Sequence, residues 1–130
     1  MIIDSSAIVA ILLKEEGYER LIKRLAEVDD VAVGAPTAVE TGIVLTARLG
    51  VVGRTLLARF FEEVGVEVVD CAQEHWKVAV EAYERFGKGR HPAGLNFGDC
   101  LTYAVAWVSG RPLLCVGDDF PKTDLVLVEG

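Results

Sequence analysis

Short apolar runs recur along the chain, and between them lie stretches with helical spacing. The runs are Met1-Ile2-Ile3, Val31 to Ala35, Val66 to Asp70, Leu113 to Val116 and Leu125 to Val128. None is long enough for a buried helix, so each reads as a short strand. The intervals read as helices over Ala7 to Leu13, Tyr18 to Val28, Pro36 to Leu49 and Val52 to Val64, then Glu74 to Phe86 and Asn96 to Ser109. Pro36 opens the third helix, and Gly50 and Gly65 stop the third and fourth. The sixth is apolar on nearly every side, as a buried central helix is. Strands alternating with helices predict an α/β fold of three layers, α/β/α, with a central parallel sheet of about five short strands covered on both faces. With 130 residues and no internal repeat, linker or low-complexity tract, the expectation is a single domain over residues 1–130.

Composition narrows the classes. The chain is 52% hydrophobic and 25% charged, a globular balance. Asp4 interrupts the N-terminus, which lacks the basic start and small-residue cleavage site of a secretory signal, and no apolar run approaches a membrane span. Cys71, Cys100 and Cys115 are odd in number, widely spaced and set in apolar surroundings, as buried thiols of a reducing, cytoplasmic compartment are. The net charge of −7 argues against a protein that grips nucleic acid by a broad basic face. It leaves room for a small acidic site flanked by local Lys and Arg, and for a basic partner protein.

In an open parallel sheet, ligands bind where strands finish and helices start. Asp4 follows the first strand directly, and Asp118 and Asp119 follow the strand at Leu113 to Val116. Glu40 and Asp99 fall in what read as the first turns of helices. Each acid also has a structural reading. Asp4 suits an N-cap. Thr37 and Glu40 have the capping-box spacing. Asp99, three residues after Asn96, suits a cap and a favourable helix dipole. An acidic doublet suits a surface turn. Taken together, the acids fall where one sheet edge would gather them. Two carboxylates about 4 Å apart repel by on the order of 4 kcal/mol at an effective dielectric near 20. Such a cluster takes up protons or binds a hard cation, and Mg²⁺ or Mn²⁺ suits oxygen ligands. No His or Cys pair has the spacing of a zinc site.

Four blocks carry a resemblance: Ile-Ile-Asp-Ser-Ser-Ala at the start, Thr-Ala-Val-Glu-Thr-Gly around Glu40, Leu-Asn-Phe-Gly-Asp-Cys-Leu-Thr-Tyr-Ala around Asp99, and Gly-Asp-Asp-Phe-Pro-Lys-Thr-Asp near the end. In order and spacing they resemble the PIN-domain ribonucleases, most of all the VapC toxins of prokaryotic toxin–antitoxin pairs, over essentially the whole chain. The resemblance implies a magnesium-dependent endoribonuclease, commonly a homodimer, inhibited by a cognate VapB antitoxin. It carries the family's acids onto Asp4, Glu40 and Asp99. The fourth falls on the doublet, where Asp118, the first acid after the strand, is favoured and Asp119 is kept as a supporting residue. Ser6 matches a small polar residue two positions after the first acid, and Asn96 stands where relatives carry another polar or acidic residue.

Phosphodiester hydrolysis fits these acids on chemical grounds too. Asp4 and Asp99 are expected to be the principal metal ligands, with Glu40 and Asp118 holding metal-bound waters or a second ion and one of them acting as general base. Lys88 and Arg90, in the Gly- and Pro-rich stretch before Asp99, are candidates for phosphate contact with RNA. His91 shares that loop and is a weaker candidate for RNA contact, while His75 reads as a surface or packing residue beside Trp76. Two other classes stay open: a receiver-like signalling domain with an acidic Mg²⁺ site, and a PIN nuclease of RNA processing outside a toxin–antitoxin pair. The receiver reading draws on Asp70 at a strand end, but Asp4 has no acidic neighbour and no lysine follows the last strand in the receiver position. A P-loop enzyme fails for want of the glycine–lysine motif.

Overall fold

The computed structural model describes residues 1–129. The chain runs β1 (Ile2–Ile3), α1 (Ser5–Leu12), α2 (Tyr18–Ala26), β2 (Val31–Gly34), α3 (Ala35–Leu49) and α4 (Val52–Val64). It continues with β3 (Val66–Val69), α5 (Trp76–Phe86), α6 (Phe97–Ser109) and β4 (Leu113–Leu114). A single 3₁₀ turn follows at Phe120–Lys122. The sheet has four strands in the order β3-β2-β1-β4, all parallel. The expected α/β class and parallel sheet are therefore present, with four strands in place of about five. Leu125 to Val128 adds only one parallel bridge, Leu127 against Leu113. Asp124, just before it, is turned sideways by Tyr103 and Arg85, whose side chains hold its carboxylate at 2.6 and 3.0 Å.

Alternation along the strands sorts side chains into two cores. Ile3, Val31, Val33 and Leu114 face α1, α2, α3 and α4, where Ile8, Leu21, Leu45 and Phe60 fill the layer. Ile2, Ala32 and Leu113 face α5 and α6, meeting Ala82, Phe86, Leu95 and Val105. This period of two on strands as short as two residues is what fixes the register. Gly34 lets the sheet meet α6, since a Cβ there would lie 2.9 Å from Val105 Cγ2. Gly53 lets α4 approach α3, since a Cβ there would lie 2.6 Å from the Leu45 carbonyl.

The path explains where a site can form. The chain steps from β1 to β2 to β3 and then returns across the sheet to place β4 against the other side of β1. The order of strands reverses between β1 and β4, and in an open parallel sheet the crevice beyond the strand ends at such a switch point is where ligands bind. At the opposite edge Arg111 closes the sheet, pairing with Asp30 at 2.8 Å beside the amino group of Met1, which donates to the Asp30 carbonyl at 2.7 Å. No helix among the described residues is long and apolar enough to cross a membrane.

Candidate active site at the ends of the parallel strands

Asp4 leaves β1 and is pinned at once. Its backbone N–H donates to the Leu114 carbonyl of β4 at 2.9 Å, and its carboxylate caps α1. One oxygen, Oδ2, accepts from the Ser6 N–H at 3.0 Å and from the Ser6 hydroxyl at 2.6 Å. The Ser6 hydroxyl in turn accepts from the Val116 N–H at 3.0 Å. Ser6 therefore ties the start of α1 to the segment leaving β4 and orients Asp4 between them. The residue is only 4% exposed, yet Oδ1 receives no hydrogen bond from the described residues. The capping role read from sequence is real, and it occupies only half of the carboxylate.

Asp99 arrives from the other layer. Asn96 and Asp99 form a capping box at the start of α6, with the Asn96 N–H donating to Asp99 Oδ2 at 3.1 Å and the Asp99 N–H donating to Asn96 Oδ1 at 2.9 Å. Burial pushes the Asp99 carboxyl up to about 6; the bond from the Asn96 N–H opposes this, and the charges of Asp4, Asp119 and Glu40 add to it. Three acids from three other parts of the chain thus bring their charges to bear on Asp99. Cys115 lies beside Asp4: burial, then the Asp4 charge, raise its thiol to about 12. Cys100 behaves likewise next to Asp99, pushed up to about 11 by burial and then by that charge. Both stay protonated and serve as apolar packing behind the acids.

Glu40 departs from its structural reading. Helix α3 begins at Ala35 with Gly34 as its N-cap, so Glu40 lies in the second turn and no capping box forms with Thr37. The Thr37 hydroxyl is instead 2.9 Å from the Thr102 hydroxyl, a buried tie between α3 and α6. Thr41 turns its hydroxyl back to the Thr37 carbonyl at 2.7 Å. This pair of threonines, which sequence reasoning passed over, holds the helix carrying Glu40 against the helix carrying Asp99. Spacing by four puts Thr37 and Thr41 on one face of α3, but nothing local to them points to Thr102.

Of the doublet, Asp119 is the acid whose charge reaches Asp99, and Asp118 is not among those that do. Gly117, at φ +103°, turns the chain sharply, and Phe120 is buried immediately after. Asp119, next to that anchor, stands at the N-cap position of the 3₁₀ turn, with no hydrogen bond from the turn to its side chain. The doublet therefore stays open between the two, with Asp119 the one whose charge bears on Asp99. Asp70, at the end of edge strand β3, is exposed and likewise does not act on Asp99.

Lys88 and Arg90 are exposed in the loop before α6. The loop closes on itself where the Lys88 N–H donates to the Leu95 carbonyl at 2.9 Å, one residue short of the Asn96 cap. Arg90 is partly engaged: its guanidinium lies 5.7 Å from the Tyr83 ring centre and its Nε donates to the Glu84 carbonyl at 3.3 Å. His91 turns inward, accepting the Ala93 N–H at 3.0 Å and standing edge-on to Phe86. His75 is buried and accepts the Ala72 N–H at 2.9 Å, a packing role.

Comparison with known proteins places this geometry. The PIN domain family matches residues 1–125. Ribonuclease VapC36 of Mycobacterium tuberculosis is 48% identical over 126 residues, covering 96% of this chain and 91% of its own. The chain belongs to the PIN-domain family, among the VapC ribonucleases. Ribonuclease VapC of Mycolicibacterium smegmatis is 41% identical over 128 residues, covering 98% of this chain and 99% of its own. Among solved structures the PIN fold is matched by VapC20 of Mycobacterium tuberculosis, described as a sarcin-ricin loop cleaving toxin, with a TM-score of 0.78 at 20% identity and coverage of 99% and 98% of the two chains. VapBC2 of Rickettsia felis, solved on a DNA fragment from its promoter, gives 0.77 at 14% identity and coverage of 98% and 96%. The receiver reading is set aside by this membership.

Proposed function

We propose that this PIN domain is a magnesium-dependent endoribonuclease toxin of the VapC type, hydrolysing RNA phosphodiester bonds in the cytoplasm and neutralised by a VapB-type antitoxin. The observation that carries the reading is that the charges of Asp4, Glu40 and Asp119 all bear on the half-buried carboxylate of Asp99 beside the β1/β4 switch point, in a chain 48% identical to a VapC ribonuclease.

The donor set fits a hard divalent cation. It is all oxygen, and Asp4 keeps Oδ1 free of protein hydrogen bonds. Among the described residues no three Asp, Glu, His or Cys side chains gather tightly enough to enclose an ion. Mg²⁺ does not require a closed protein cage, since it keeps several waters and takes one or two carboxylates plus substrate phosphate. Asp4 and Asp99 would hold it, with Glu40 and Asp119 ligating through water; Mn²⁺ would substitute. What such an ion supplies when bound is charge relief on the phosphate and a more acidic water. Ser6 fixes the orientation of Asp4, and Asn96 that of Asp99. Glu40 or Asp119 accepts the proton of the attacking water. Lys88 and Arg90 offer phosphate contacts beside an otherwise acidic surface.

Two apolar surfaces support the remaining partners. Val39, Ile43 and Phe97 are 62%, 64% and 82% exposed beside one another on α3 and α6, which supports a homodimer. A separate apolar cleft between α1, α2 and α4, of about 520 Å³, offers an antitoxin segment a seat.

The test is cleavage of an RNA oligonucleotide by purified protein. Cleavage in Mg²⁺ is expected to stop in excess EDTA and to return on adding Mg²⁺ back; undiminished cutting in EDTA would end the metal-dependent reading. Ser6→Ala should lower the rate about tenfold while the protein stays folded, as loss of an outer orienting group does. A rate unchanged in that variant would deny Ser6 its role.

A further inference from the structure

Gly98 is the second residue of α6, between the exposed Phe97 and Asp99. Its backbone is helical and its φ is not positive, so conformational freedom does not account for a glycine there. In a helix, glycine is the weaker choice beside alanine. What the position does have is a neighbour. A Cβ at residue 98 would overlap Oε2 of Glu40 and lie 2.9 Å from its Cδ and 3.1 Å from its Oε1. The whole carboxylate of Glu40 rests in the space that a side chain at 98 would fill.

Nothing else fixes that carboxylate. It takes part in no hydrogen bond and no ion pair among the described residues. Glu40 is half-buried on the wall of the cleft between α3 and α6, whose other lining is apolar apart from Thr37. Its seat is the first turn of α6, where the helix dipole favours a negative charge and where Asp99 is one residue away. We propose that Gly98 is a positioning residue for Glu40: the missing side chain is the seat that keeps this carboxylate among the acids of the site. The inference rests on the nuclease reading for its meaning, but the seat itself is a property of the two residues.

The groups an added methyl would meet belong to the far end of a flexible side chain, not to backbone. Glu40 can swing away, so Gly98→Ala leaves the fold intact and empties the seat. The experiment compares wild type, Gly98→Ala, Glu40→Ala, the double variant Gly98→Ala/Glu40→Ala, and Gly98→Ala/Glu40→Asp. Each is read by kcat and KM on an RNA oligonucleotide, by Mn²⁺ affinity from electron paramagnetic resonance with the metal alone, and by melting temperature.

Gly98→Ala is expected to lower kcat about tenfold to a hundredfold and weaken Mn²⁺ binding, with KM little changed and Tm at or above wild type. In the Glu40→Ala background the same change should cost nothing further, because the group it displaces is gone. Glu40→Asp, shorter by one methylene, should restore part of kcat in the Gly98→Ala background. Wild-type kcat and Mn²⁺ affinity in Gly98→Ala would overturn the proposal. So would an equal further loss in the Glu40→Ala background, or a Tm well below wild type, since either places the clash elsewhere. If wild type cuts no RNA while Gly98→Ala still weakens Mn²⁺ binding through Glu40, the nuclease reading fails and the seat stands.

Discussion

Asp4→Asn and Asp99→Asn each reduce RNA cleavage by roughly a hundredfold to a thousandfold, the loss of about 3–4 kcal/mol of transition-state stabilisation. The substitutions are informative because both acids are also caps. Asparagine is as good an N-cap as aspartate. At position 4 its amide oxygen still accepts the Ser6 N–H and hydroxyl that Asp4 accepts at 3.0 and 2.6 Å. At position 99 it still accepts the Asn96 N–H that reaches Asp99 at 3.1 Å. The helices therefore keep their starts, and the change is one unit of negative charge. If the acids served only as caps, both variants would cleave at the wild-type rate, and that result would sink the mechanism. The doublet gives an internal control. Asp119→Asn should cost more activity than Asp118→Asn, because Asp119 is the one whose charge reaches Asp99. Rates are compared at saturating Mg²⁺ and again at limiting Mg²⁺, where a lost ligand shows most.

What could be read from sequence divides along physical lines. Strands β1 to β4 and all six helices were legible because each carries its own signal: a short apolar run, or apolar residues at helical spacing. Asp4 was legible for the same reason, an acid placed immediately after a buried strand. The fifth strand was overestimated because apolar content alone does not show that Asp124 spends its side chain on Tyr103 and Arg85 and leaves one bridge at Leu127. Helix α3 was begun too late because its N-cap is Gly34, which has no side chain to announce it. The Thr37 hydroxyl, free of capping, could then pair with Thr102, a contact across 65 residues that no local pattern encodes. Asp118 and Asp119 were indistinguishable in sequence because two adjacent side chains after a turn differ only in direction. Gly117, at positive φ, and Phe120, buried in the core, flank the pair.

Asp99→Asn should also make the metal-free protein more stable, and the gain should depend on pH. The Asp99 carboxyl has its pKa raised from 3.8 to about 6, first by burial and then by the charges of Asp4, Asp119 and Glu40. A group whose folded pKa exceeds its unfolded value binds more protons folded than unfolded between the two. In that window stability falls as pH rises. For Asp99 the penalty is absent below about 4 and fully present above about 6. A shift of that size corresponds to roughly 3 kcal/mol, and screening at a half-exposed carboxylate reduces it to on the order of 1–2 kcal/mol. Urea unfolding of wild type and Asp99→Asn in EDTA, from pH 4 to pH 7.5, isolates the effect, since all other titrating groups are common to both. The two should agree near pH 4 and separate through pH 5 to 6, with the variant more stable by that amount at pH 7. Mg²⁺ added at pH 7 should stabilise wild type and leave the variant nearly unmoved, because the ion relieves the repulsion that the variant has already lost. Curves that stay parallel from pH 4 to pH 7.5 would show that Asp99 carries no such strain. On the proposed nuclease reading, a carboxylate that costs the fold stability, and that asparagine would replace without loss of its cap, would be kept for what it does to a bound cation and its substrate.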